Sequence, residues 1–124
     1  MEIYFTREHE WIRIEGTVGT VGITAYAVEQ LGDITFIELP PIGKSVCRSG
    51  MLCSVESVKA ASDIFAPLTG KVIEVNRTLD TAPEIVNQSP EGEGWISRME
   101  VEDLSEVKNL MCRSDYDEYL RGLA

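Results

Sequence analysis

One lysine stands in a setting that could do chemistry. The segment Val55-Glu56-Ser57-Val58-Lys59-Ala60-Ala61-Ser62-Asp63-Ile64-Phe65-Ala66-Pro67-Leu68-Thr69-Gly70 has two apolar arms around a small, polar centre, with Lys59 alone in the middle. Such arms predict a β-hairpin with Lys59 at or near its tip. Ser57, Ala60 and Ala61 are small, so the amine is reachable. An amine acylated there loses its charge and becomes a tether, rigid at the root and mobile along the arm. Tethering raises the effective concentration of a carried group at a partner's site without tight binding. By default, however, a lysine on a hairpin is a solvated edge protector, and composition and spacing by themselves favour that reading.

No competing chemistry assembles elsewhere. His9 is the only histidine, so no Ser/His/Asp or Cys/His set forms without it. Its place beside Trp11 suits a structural or interface residue. Cys47, Cys53 and Cys112 are odd in number and contain no C-x-x-C, which with one histidine argues against zinc. They read as small, partly buried thiols in a reducing compartment, with a Cys47–Cys53 bridge as the alternative. Gly16, Gly19 and Gly22 do not have phosphate-loop spacing. Glu91 and Glu93 sit in a glycine-rich stretch that suits solvent.

Composition narrows the partners. The chain has 124 residues, with 11 basic against 21 acidic ones and a net charge of −10. That length suits one domain over residues 1–124. The charge argues against nucleic acid and anionic membranes, and it fits transient partners with basic docking faces. No stretch is apolar for long enough to span a bilayer, and Met1 to Glu8 shows no presequence pattern, so a cytoplasmic protein is expected.

The elements that must position the lysine are short and mostly extended. Trp11–Glu15, Thr17–Ile23, Ile34–Leu39, Leu52–Val58, Ile64–Ala66, Lys71–Val75 and Trp95–Val101 read as strands with Gly, Pro and Asn between them. Regular short strands indicate an all-β sandwich or barrel. Thr24 is placed to cap a short helix carrying Ala27, Val28 and Leu31, closed by Gly32. Asp103-Leu104-Ser105-Glu106 resembles a capping box, and Tyr116, Tyr119, Leu120 and Leu123 stripe a last helix opened near Ser114. Pro83 to Gly94 reads as an exposed irregular loop, and Gly70 as the positive-φ residue of a tight turn.

Glu56-Ser57-Val58-Lys59-Ala60 followed by Ala66-Pro67-Leu68-Thr69-Gly70 closely resembles the lipoylation hairpin of glycine cleavage H proteins. The resemblance runs almost end to end, through His9-Glu10-Trp11, Val21-Gly22-Ile23-Thr24, Leu31-Gly32-Asp33-Ile34, Glu38-Leu39-Pro40, Val72-Ile73-Glu74-Val75-Asn76, Val86-Asn87 and Gly94-Trp95-Ile96. Val58 and Ala60 replace the methionines that flank the lysine in biotin carriers. Val58 also stands where lipoyl domains of 2-oxoacid dehydrogenases have an acid. The departures are Glu91 near a common aromatic, the extra Pro41, a Ser45–Ser54 segment less polar than the family's and Thr69 in place of serine. They bear on docking surfaces, not on the fold or the lysine.

The resemblance implies a mainly β barrel-sandwich hybrid of two antiparallel sheets, with the lipoyl-lysine hairpin exposed and short peripheral and C-terminal helices. It implies a carrier that catalyses nothing itself and bears lipoate as an amide on Lys59. Aminomethyl units would pass from the P protein, a pyridoxal-phosphate glycine decarboxylase, to the T protein, an aminomethyltransferase. The L protein, a dihydrolipoyl dehydrogenase, would reoxidise the arm. A lipoate ligase or octanoyltransferase would read the hairpin through Glu56, Ser57, Val58 and Ala60. A parked, loaded arm carries a protonated amine, so a nearby carboxylate should hold it. Glu10 is a candidate through the His9-Glu10-Trp11 motif, and Asp63 through its place four residues after Lys59. A monomer is expected. The alternatives are a lipoyl donor in a relay to other dehydrogenases and an unmodified β-domain used only for binding.

Overall fold

The computed structural model describes residues 2–123. Nine strands dominate it. The larger sheet is built from β1 (Glu2–Phe5), β2 (Glu10–Glu15), β3 (Val18–Ile23), β9 (Ser97–Val101), β8 (Gly70–Val75) and β5 (Ser45–Val46), in that spatial order. The smaller sheet is β4 (Ile34–Glu38), β6 (Met51–Ser57) and β7 (Ala61–Phe65). Every pairing is antiparallel. The molecule is thus mainly β, in two antiparallel sheets with short helices, as the sequence predicts. β1 and β5 carry no clear signal in the sequence, because each is short and lies at a sheet edge.

Ile12, Val21, Ile37, Leu52, Val55, Ile64, Leu68, Val72, Ile96 and Met99 fill the space between the sheets, all at or near zero exposure. Each comes from the inward face of an alternating strand or from a connection pinned beneath one. A second cluster of Phe5, Trp11 and Tyr116 seats the C-terminal helix α4 (Arg113–Leu123) against the start of the larger sheet. Tyr116 is the buried member of that helix's stripe, while Leu123 at its end is exposed. No helix among the described residues is long and apolar enough to cross a membrane.

Local signals set the caps. Thr24 Oγ accepts from Ala27 N at 3.3 Å at the start of α1 (Ala25–Leu31), and Gly32, at φ 78°, donates its N–H to Val28 O. Asp103 caps the 3-10 helix Leu104–Asn109 by accepting from Ser105 N. Glu106 does not complete the expected capping box. Its carboxylate instead accepts from Thr69 N at 2.9 Å and Thr69 Oγ at 3.0 Å, a long-range use that local spacing does not reveal.

Two further expectations are corrected. Pro83–Gly94 is not a structureless exposed loop. Besides α2 (Thr78–Thr81) just before it, it holds the one-turn helix α3 (Ile85–Gln88), buries Val86 completely, and delivers Pro90 O to Trp11 Nε1. Gly70 is also not a positive-φ turn residue; it opens β8. What demands glycine there is space, since a Cβ would lie 2.3 Å from Glu100 O in the neighbouring strand. Gly70→Val should therefore push β8 off β9 and lower unfolding free energy by about 3 kcal/mol or more. Urea unfolding measures it, and a change below about 0.5 kcal/mol would show that β9 yields freely.

Candidate functional site

The hairpin between β6 and β7 turns through Val58 and Lys59. Ser57 N donates to Ala60 O at 2.8 Å, and Ser57 Oγ accepts from Lys59 N at 3.3 Å and Ala60 N at 3.2 Å. The serine side chain thereby occupies amides that a two-residue turn would otherwise leave to solvent. His9 and Ser49 are the only described non-glycine residues with positive φ, so Val58 and Lys59 turn the chain without left-handed strain. Lys59 and Ala60 are exposed, Val58 is 66% exposed, and Glu56 points outward beside Phe36 across the pair. All four residues proposed for hairpin recognition, together with the lysine, are brought to one tip.

The tip is braced from below. Val58 N donates to Asp33 O at 3.0 Å, and Gly32 packs so near the lysine stem that a Cβ on it would sit 3.5 Å from Lys59 Cε. Asn87 on α3 clamps this base, with Nδ2 donating to Gly32 O at 3.0 Å and Oδ1 accepting from Ile34 N at 2.8 Å. In the sequence Asn87 stands out only through the Val86-Asn87 pair of the family resemblance. Nothing in local periodicity marks it as a brace, because its two partners lie more than fifty residues away.

At the far end of β7 a cavity of about 700 Å³ opens, with Phe5, Phe65, Pro67 and Met111 among its walls and Arg7, Arg48 and Lys108 among its polar lining. Glu10 lines it and is only 2% exposed. Its Oε1 accepts from Thr6 Oγ at 2.6 Å and its Oε2 from Phe65 N at 3.1 Å, joining the larger sheet to the edge of the smaller one. Burial pushes the Glu10 carboxyl up to about 7, while the two hydrogen bonds pull the other way and Glu8 adds to the rise. Asp63 is exposed on β7, opposite Ser54, two residues before Phe65, and is not among the cavity's lining residues. The structure therefore places Lys59 and Asp63 on one hairpin and Glu10 at that hairpin's root. Nothing in the sequence marks the three cations of the lining, because they come from three segments distant in the chain.

The cysteines divide. Cys47 and Cys112 are exposed rather than partly buried, Cys53 is buried, and all three are free thiols. Burial pushes the Cys53 thiol up to about 12, which keeps it protonated and inert. Glu91 is not an idle solvent carboxylate: it pairs with Arg113, and its carbonyl accepts from Arg13 at 2.8 Å. Among the described residues no cluster of His, Cys, Asp or Glu could hold a metal.

Two antiparallel sheets with one lysine held out on a braced hairpin define a barrel-sandwich carrier. The sequence profile of the family described as Glycine cleavage H-protein matches residues 3–122. The glycine cleavage system H protein of Thermotoga maritima is 50% identical over 115 residues, covering 93% of each chain. That of Caulobacter vibrioides is 52% identical over 119 residues, covering 96% of this chain and 98% of the other. The crystal structure of a glycine cleavage system H protein from Mycobacterium marinum superposes with a TM-score of 0.85 at 33% identity, covering 97% of both chains. The chain belongs to the glycine cleavage H-protein family, whose members are lipoyl carriers.

Proposed function

We propose that this chain bears lipoate on Lys59 and carries aminomethyl units from a glycine decarboxylase to an aminomethyltransferase, in the cytoplasm and as a one-domain carrier. A dihydrolipoyl dehydrogenase and a lipoate ligase or octanoyltransferase are its other partners. The observation that carries the reading is Lys59 on the exposed, braced tip, with small residues beside it. The group fits: the amine is accessible, and a cavity with apolar walls lies at the other end of the same strand. When bound, lipoate supplies a dithiol–disulfide pair that accepts and releases the cargo.

The chain's own residues supply placement and shelter. Ser57 and Asp33 hold the root of the arm still. Phe5, Phe65 and Pro67 offer apolar surface that excludes water from a parked arm. Glu10 offers a buried carboxyl whose ionised form a nearby ammonium would stabilise, its proton passing to solvent, through a charge-assisted hydrogen bond. Asp63, on the strand leading from the tip, is the second candidate carboxylate.

Glycine-dependent carbon dioxide release by the decarboxylase with lipoylated chain tests the shuttle, and its absence would reject it. The rate at which ammonia leaves the loaded chain tests the shelter. Glu10→Gln should speed it several-fold, and Asp63→Asn should speed it less because its charge is screened. Wild-type rates in both variants would remove these carboxylates from the mechanism.

A further inference from the structure

The turn from β1 to β2 has a conformation that its sequence does not favour. His9 N donates to Thr6 O at 3.2 Å and Thr6 N donates to Glu10 O at 2.9 Å, closing a short hairpin loop around His9 at φ 71°. The left-handed residue of such loops is ordinarily glycine or asparagine, because a side chain is strained there. A histidine in that place needs a reason that lies in its ring.

The ring has one. Nδ1 lies 2.8 Å from the hydroxyl of Tyr116 on α4, and the same hydroxyl lies 2.7 Å from Thr24 Oγ. The ring of Tyr26 covers the imidazole at 4.5 Å, and Tyr119 lies 6.0 Å away. Tyr116 is buried and stacks on Phe5 at 4.6 Å and 7°, so the hook is fixed to a wall of the cavity. Burial holds the imidazole below its usual range, against the pull of Glu8, so a neutral ring can accept the tyrosine proton at Nδ1. On the other side of the loop, Thr6 Oγ accepts from Glu10 N at 3.1 Å and donates to Glu10 Oε1. The side chain next to the hook is thereby turned to Phe65 N and the cavity.

We propose that His9 is a positioning residue for Glu10, its ring hooked to Tyr116 so that the β1–β2 turn holds the Glu10 carboxyl in the cavity. This rests on the reading of Glu10 as the carboxyl that holds a parked arm. A glycine would make the turn with less strain but could not hook it. An asparagine tolerates the left-handed conformation and places an amide near the position of Nδ1.

The test is a carbon-detected NMR titration of the Glu10 carboxyl in the unmodified full chain, with thermal melts to confirm folding. His9→Gly and Tyr116→Phe should each lower the Glu10 midpoint by about one unit, about tenfold in proton affinity, because a released carboxylate reaches water. The double variant should shift it no further, and His9→Asn should keep the wild-type midpoint. If Tyr116→Phe loosens α4, the Gly and Asn variants decide by themselves. A wild-type midpoint in His9→Gly would overturn the proposal and leave His9 a mere turn residue. If Glu10→Gln left ammonia loss unchanged while His9→Gly still moved Glu10, the arm-holding reading would fail and the positioning would stand.

Discussion

Lys59→Arg should abolish acylation of this chain: after incubation with a lipoate ligase and lipoate, intact mass is expected to show no added group. The reason is chemical before it is structural. Guanidinium stays protonated and offers no free electron pair, whereas a lysine amine can lose its proton and attack an activated acyl group. The remaining lysines lack the setting. Lys44 donates to Leu52 O at 3.4 Å, Lys71 lies within β8 opposite Ser45 and Glu100, and Lys108 lies in the 3-10 helix. None stands on a hairpin tip, so a ligase that reads the tip finds no substitute. Stability should change by less than about 0.5 kcal/mol, because Lys59 is exposed and unpaired among the described residues. An adduct that persists in the variant, mapped to any other lysine, would defeat the assignment of Lys59.

The second large effect concerns pH. In the folded chain the Glu10 carboxyl lies near 7, against an ordinary value of 4.5. The folded state therefore holds its proton more tightly than the unfolded state. Its contribution to stability is complete below about pH 4.5 and is lost as pH rises through 7. A shift of this size is worth about 3 kcal/mol. Glu10→Gln mimics the protonated form at every pH, so its advantage over wild type should grow by about 3 kcal/mol between pH 4.5 and pH 8. Paired urea titrations across that range measure the difference and cancel groups common to both. Parallel curves would mean that the buried carboxyl is solvated in the native state. In the proposed shelter the destabilising charge would serve the carrier, because an ammonium in the cavity would relieve a cost the fold already bears.

Much of the fold is legible in short stretches. The alternation of Ile12 and Ile14, the proline pair after Leu39 and the small residues around Lys59 each announce a local structure, because strand period and turn chemistry are properties of neighbouring residues. Thr24 and Gly32 mark both ends of α1 for the same reason. The failures share a cause as well. Gly70 reads as a turn residue because conformational freedom is the usual demand on glycine, but here the demand comes from a strand more than twenty-five residues away. Glu106 looked like half of a capping box until Thr69 claimed it. Segment 83–94 looked like a loop because its one-turn helix is stabilised by burying Val86 and not by propensity.

By itself the sequence determines that this is a small acidic β-protein with one lysine on an uncluttered hairpin and a single histidine. Those are facts of composition, period and adjacency. Only the tertiary structure decides what surrounds that lysine and its arm. The brace from Asn87, the three cations of the cavity lining and the seat of Glu10 against Phe65 N all join residues far apart in the chain. Asp63 and Glu10 are equivalent as letters, yet one is solvated and the other buried enough to change its protonation at neutral pH. Dielectric environment is set by everything packed around a group, and no window of neighbouring residues contains it.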